Sequence, residues 1–279
     1  MQFNAENKKI FVYQIFYNKG SKNILDPGFI PLDNSSNKRP DWYEFWVIRD
    51  FIKKNKLQVD SWYGFLSPKF GLKTGIKSPL VYSAIEKCRE YSDVVLFSTA
   101  WDQLAYFLNP FEQGEVWHPG ILNLSQSFFD KAGLNVELNK LVTYSKTSVF
   151  SNYIIAKPKF WHEWITIADN FFEIVERKAT HEFNQLTSYG CALNQTSMKT
   201  FIQERFASVI LARGGYNVIS IDDSQAPIFT RLFNDDVKTR KMLQTCDLLK
   251  EKYCITKDYD FLNMYFKIRK DIDFKSPQM

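Results

Sequence analysis

The chain has 279 residues, of which 45% are hydrophobic and 16% aromatic, a length that fits one large domain or a core domain with an appendage. A formal net charge of +5 (36 Lys and Arg against 31 Asp and Glu) is too modest for a dedicated nucleic-acid binder, yet it suits an anionic ligand or an anionic membrane face. Four scattered cysteines without a CxxC read most simply as a reduced compartment and no structural zinc, and a polar N-terminus with no apolar run approaching the ~20 residues of a membrane span argues against a signal peptide and a spanning helix, so a cytoplasmic protein is expected.

In chain order, Lys9–Tyr17 is aromatic, β-branched and nearly devoid of polarity, which predicts a strand buried on both faces. A long Asn, Ser, Gly and Pro-rich loop is expected from Asn18 to Pro40; it carries Asp33-Asn34, which can hydrogen-bond a ribose or base or simply form an Asx turn. Trp42–Lys54 places apolar residues at helical spacing behind Asp41. Ser61–Leu66 reads as a strand, Ser67–Gly75 as a basic loop, and Ser78–Tyr91 as a second helix. The apolar run Asp93–Ser98 predicts another buried strand, so the pattern to this point is α/β. Next, Asn109–Gly120 gathers Glu112, Glu115, Trp117 and His118 among two Pro and two Gly, and is expected to be a shaped loop leaving the sheet. Further on, Ser125–Ala132 suggests a helix, Thr147–Ala156 a strand, and Phe160–Arg177 and Ser197–Ala212 amphipathic helices. Gly214-Gly215 caps the last of these ahead of a short strand, Tyr216–Ile221. From Asp235 the chain is helical and charged, with a Lys/Arg-rich end suited to an anionic membrane surface or simply to solvent.

There is no GxGxxG, Walker A, HExxH or GxSxG sequence, and the three histidines cannot build a His-rich metal centre. Glu115 and His118, three apart, form a candidate base and acid, against the plainer reading of a solvated turn.

The order of several motifs resembles a bacterial family of capsule and lipopolysaccharide biosynthesis glycosyltransferases with a glycosyltransferase-A-like fold. These are the strand Lys9–Tyr17, the aromatic helix Trp42–Trp46 leading to Trp62–Phe70, and Asp93–Ser98 followed by Glu112–His118; Ser151–Trp161 and Phe201–Phe206 complete the series. The likeness spans roughly residues 9 to 221. It implies an α/β nucleotide-diphospho-sugar transferase fold, a mixed sheet flanked by helices, with a catalytic domain over 1–225 and a C-terminal helical appendage over 226–279. It also implies transfer of a sugar from a nucleotide donor, a UDP-sugar first, to a glycan or lipid-linked glycan acceptor, at the inner face of the cytoplasmic membrane and without nucleic acid. Many enzymes of this fold hold a divalent metal with an Asp-x-Asp pair. The matching stretch here, Leu66-Ser-Pro-Lys-Phe70, has no acid. No metal is therefore assigned, while Asp102 as a lone carboxylate leaves Mg²⁺ or Mn²⁺ open.

Under that resemblance Lys69 and Lys73 are candidates to neutralise the leaving diphosphate, with a solvated charged loop as the alternative. Glu204 is the preferred catalytic base, with Glu115 and His118 competing; a buried Glu paired elsewhere is the plainer reading. Tyr13, Asp33, Asn34 and Asp102 fall to the donor side, and Asn152, Arg205 and Trp117 to the acceptor side. A non-catalytic carbohydrate-binding or assembly protein of the same pathway is the alternative function.

Overall fold

Strand β1 (Ile10–Phe16) alternates its side chains as the pleat requires. Ile10 and Val12 enter one apolar cluster, whereas Phe11, Tyr13 and Ile15 enter another on the opposite face. The computed structural model describes residues 10–98, 100–177, 181–189, 191–221 and 231–275, so Lys9 and the expected boundary at 225 lie outside the described residues. The elements that follow β1 are α1 (Lys19–Asn23), β2 (Ile30–Asp33), α2 (Tyr43–Lys54), β3 (Trp62–Leu66), α3 (Phe70–Thr74), α4 (Ser78–Cys88) and β4 (Val94–Leu96). Then come α5 (Trp101–Tyr106), α6 (Pro110–Trp117), α7 (Ile121–Lys131), β5 (Ile154–Ala156) and α8 (Pro158–Arg177). The hairpin β6 (Leu186–Tyr189) and β7 (Cys191–Ser197) leads to α9 (Met198–Gln203), α10 (Phe206–Ala212), β8 (Val218–Ser220), α11 (Val237–Thr256) and α12 (Tyr259–Lys270).

The main sheet has the order β2-β1-β3-β5-β4-β8. All neighbours run parallel except β5, which is antiparallel to both β3 and β4. The expected α/β class and mixed, helix-flanked sheet are therefore present. On one face α2, α7, α8, α9 and α10 bury a cluster rich in aromatics, including Trp42, Phe45, Phe128, Trp161, Trp164 and Phe206. Helix α8 supplies much of it because Phe160, Trp161, Trp164, Ile167, Ala168, Phe171 and Val175 recur on one stripe. The opposite face is covered by α4 through Val81, Ile85 and Cys88. Gly64 in β3 lets β5 approach: a Cβ there would stand 2.6 Å from Ile155 Cγ1.

Several expectations are corrected. The loop 18–40 contains α1 and β2, because Asn18 caps a short helix and Ile30–Asp33 adds a parallel edge strand to β1. The basic loop after β3 winds into α3. The segment 109–120 is a helix: Pro110 occupies its first turn, where a missing N–H costs nothing, and the Asn109 side chain accepts from the Phe111 and Glu112 N–H groups. The strand expected over Thr147–Ala156 narrows to its last three residues. The single helix expected over Ser197–Ala212 is two, broken at Glu204 and Arg205.

The C-terminal helices pack on the body through α5, in a cluster of Trp101, Tyr106, Phe107, Leu243, Cys246 and Tyr265. Lys250 is fully buried there and donates to the carbonyls of Leu104 (2.5 Å) and Phe107 (2.6 Å), capping the end of α5. Burial lowers its pKa to about 8. Arg269 of α12 pairs with Glu112 of α6 at 2.8 Å. Among the described residues no helix is long and apolar enough to cross a membrane.

Candidate functional site

Where β3 and β4 end and β5 begins, a cavity of about 320 Å³ opens. Such an edge is where open α/β sheets bind ligands. Lys73 reaches it from the end of α3, Ala100 and Gln103 from the start of α5, and Gln113 and His118 from α6 and its C-terminus. Phe150, Ser151 and Tyr153 line it from the chain entering β5; Phe201, Glu204 and Arg205 come from α9 and the break after it.

The backbone around this cavity is held in unusual conformations. Ala100, Ser151 and Asn152 have φ of 63°, 56° and 54°. Left-handed backbone at non-glycine residues persists only where the surroundings enforce it, and it concentrates at functional sites. Here Phe97 N–H donates to the Tyr153 carbonyl (2.9 Å) and Ile154 N–H to the Asn152 carbonyl (2.8 Å). The Tyr153 hydroxyl also lies 3.2 Å from Ser67 Oγ, tying β5 to the end of β3.

Arg205 is 5% exposed and bonded to three protein oxygens. Its Nε donates to the Pro110 carbonyl (2.7 Å), Nη1 to the Phe201 carbonyl (2.6 Å) and Nη2 to Gln113 Oε1 (3.0 Å). Gln113 in turn donates to Gln103 Oε1 at 2.7 Å. Gly114 makes room for this guanidinium: a Cβ there would stand 2.7 Å from Nη2 and 3.0 Å from Cζ. Burial lowers the Arg205 pKa to about 10, opposed by the adjacent Glu204, so the group is a fixed cation in the wall. At the break the Phe201 carbonyl, which a continuous helix would bond to the Arg205 N–H, accepts from Nη1 instead, while that N–H donates to the Ile202 carbonyl.

Glu204 sits at that break, partly exposed. Burial pushes its pKa up to about 7, with Arg205 and Lys73 pulling it down and Glu44 of α2 pushing it further up. A carboxyl that titrates near neutrality has the property wanted of a general acid–base group. His118 stacks on Phe201, with ring centroids 3.6 Å apart, and its Nδ1 lies 3.2 Å from Thr187 Oγ1. Burial first, and the Arg205 charge second, depress its pKa to about 3, so it is a neutral aromatic wall at ordinary pH.

Of the residues singled out by sequence, Glu204, His118, Lys73 and Arg205 converge on the cavity. Asn152 stands beside it, 5% exposed, donating to Gln203 Oε1 at 3.2 Å while its Oδ1 has no protein partner. Glu115 does not join them: its carboxylate accepts from Gly120 N–H (2.5 Å) and Leu122 N–H (2.9 Å) and so caps α7. Lys69 is exposed at the start of α3, outside the lining. Tyr13 is stacked on Phe65 and tilted against Phe51 in the core. Asp102 is fully buried in the first turn of α5, and Trp117 is half-buried against the C-terminal cluster; neither lines the cavity.

Asp33 and Asn34 line a different, more polar groove of about 330 Å³ between the end of β2 and α2. Asp33 accepts from Ser35 N–H at 2.7 Å, an Asx turn, while the Asn34 Nδ2 is buried without a protein partner. Sequence reasoning missed Gln103, Gln113, Tyr153, Phe201 and Glu44. Four of them lie within the quoted motifs, but nothing there marks them out for a site; only the meeting of α6 with the α9–α10 break brings the two glutamines into one network. Among the described residues no three His, Cys, Asp or Glu side chains gather to hold a metal ion. Compared with protein-family models, with curated proteins and with solved structures, the chain gives no match.

Proposed function

We propose that the chain is a glycosyltransferase, moving a sugar from a nucleotide diphosphate donor, a UDP-sugar first, to a growing surface glycan of the lipopolysaccharide, O-antigen or capsule kind. The observation that carries this is Glu204, a carboxyl poised to titrate near pH 7 in a cavity at the strand ends, with Lys73 close enough to act on it. In an inverting transfer the acceptor oxygen bonds to the anomeric carbon as its proton passes to Glu204. The bond from that carbon to the diphosphate breaks, and its electron pair leaves with the diphosphate. Lys73 and the fixed Arg205 charge oppose the growing negative charge. Phe150, Tyr153 and Phe201 offer apolar faces to a sugar ring, and the Gln103 and Gln113 amides offer polar partners. The Asp33–Asn34 groove, at the end of a parallel strand next to β1, is assigned to the nucleoside. The mixed sheet with helices on both faces supports a glycosyltransferase-A-like fold. A cytoplasmic site of action, with peripheral contact at the inner membrane face, completes the reading.

The test is thermal shift and turnover against a panel of nucleotide sugars, each with and without Mg²⁺ or Mn²⁺. Stabilisation by one donor, together with loss of turnover by about 10²–10⁴-fold in Glu204→Gln with donor binding retained, is expected. Failure of every donor to bind overturns the reading. The aromatic walls favour a second reading, a carbohydrate-binding protein of the same pathway, which would bind glycan without nucleotide.

A further inference from the structure

We propose that the Glu204 cavity binds an anionic oxygen group and holds one proton on Glu204 while it does so, the anion being the diphosphate that the donor releases as product. The identity of the anion rests on the transferase reading; the proton uptake rests on the cavity itself.

The charged and titratable groups around Glu204 come from every element packed there. Lys73 arrives from α3, Arg205 from the start of α10, His118 from the end of α6, Tyr153 from β5 and Glu44 from the first turn of α2. Lys199 of α9 is already held by Asp41 at 2.6 Å. His118 stays neutral, and the three hydrogen-bond donors of Arg205 described above are spent on protein oxygens. The charge that can change inside the cavity is therefore that of Glu204. Ionised, it offsets Lys73 and repels an incoming oxyanion. Protonated, it leaves the two cations uncompensated and presents an O–H that donates to that oxyanion. Burial with Glu44 nearby already holds the carboxyl near its midpoint at neutral pH, so the proton is available at little cost. An anion entering the cavity adds to the effect of Glu44 and favours the protonated form further.

In the proposed reaction this coupling has a purpose. The proton that Glu204 accepts from the acceptor is held most firmly while the product diphosphate, with its added negative charge, is still in place. The nucleoside diphosphate product should therefore bind more tightly as pH falls.

The experiment is calorimetric titration of the full chain with UDP, inorganic pyrophosphate and glucuronate, in buffers of different ionisation enthalpy, from pH 6 to 8.5. The ligands titrate on their own account, so each measurement is paired with Glu204→Gln, whose melting curve checks that it folds. With UDP and pyrophosphate, wild type is expected to take up close to one proton more than the variant above pH 7. Its Kd should weaken by up to about tenfold per pH unit there, while the variant retains tight binding. Lys73→Met, at an exposed position, should weaken binding about tenfold or more and move the proton uptake to higher pH, because Lys73 helps hold the Glu204 carboxyl ionised. Equal uptake in wild type and Glu204→Gln, or no pyrophosphate binding at pH 6, overturns the proposal. Proton-linked binding of glucuronate alone overturns the diphosphate assignment. Proton-linked UDP binding without any sugar transfer would sink the transferase reading and leave this inference standing; transfer without proton linkage would do the reverse.

Discussion

Replacing Gly114 by alanine should destabilise the protein, although the same change in an exposed helix interior usually stabilises it by about 1 kcal/mol. The reason is the Arg205 guanidinium, which a Cβ at position 114 would approach to 2.7 Å. That group is no free side-chain end: it is 5% exposed and anchored by the three hydrogen bonds to Pro110, Phe201 and Gln113. To admit the methyl group it must tilt away and strain or lose at least one of them. Hydrogen bonds to a charged group are worth about 1.5–3 kcal/mol each when broken in a buried setting. Set against the helical gain, the net loss should be about 1–3 kcal/mol. Urea unfolding of wild type, Gly114→Ala, Arg205→Met and the double variant measures this as a cycle. With Arg205 removed, the Gly114→Ala cost should vanish or turn into a gain. A destabilisation of the same size in both backgrounds would refute the packing argument, as would a stabilising effect of Gly114→Ala alone.

Three further outcomes are expected. A carboxyl whose folded pKa is raised from 4.5 to about 7 makes the folded state lose stability as pH rises across that window, and the loss is complete above it. Glu204→Gln should therefore be more stable than wild type at pH 8, by about 1–3 kcal/mol once partial exposure is allowed for, with the difference vanishing near pH 4.5; a pH-independent difference would contradict this. His118, depressed from 6.5 to about 3, works in the opposite sense: the unfolded chain binds the proton more readily, so stability falls as pH drops below 6.5. His118 by itself should contribute a loss of about 2 kcal/mol between pH 6.5 and 5, set against the opposite contribution of Glu204, and it should be read as the difference between the acid denaturation curves of wild type and His118→Phe, which keeps a ring on Phe201. Lys250→Ala should uncap the carbonyls of Leu104 and Phe107 and leave a cavity between α5 and α11, at a cost of about 2–5 kcal/mol by chemical denaturation; near-neutral stability would mean that the ammonium is not the cap.

The amino-acid sequence by itself determined the elements whose signal is local and repeated. The apolar runs of β1, β3 and β4 and the wide apolar stripe of α8 are readable because burial on a sheet or against it imposes a period on consecutive residues. Glu204 and Lys73 became candidates through the family resemblance, which pointed to an acid on the helix after an expected strand and to lysines in the basic loop, without showing where they meet. Short-range signals were already ambiguous at Asn109–Gly120: Pro and Gly suggested a loop, yet Pro110 starts a helix and Gly114 is there for Arg205. Only tertiary structure separated Glu115 from His118. One turn of helix directs the first to the N–H groups of α7 and the second onto Phe201, and nothing in their spacing distinguishes those fates. The helix break at Glu204 and Arg205 was likewise hidden, because the carbonyls and amide that hold Arg205 belong in part to α6, far away in sequence. A pKa near 7 is a property of burial and of charges brought together by folding, so the chemistry of Glu204 exists only once the sheet, α3, α6 and the α9–α10 break have closed around it.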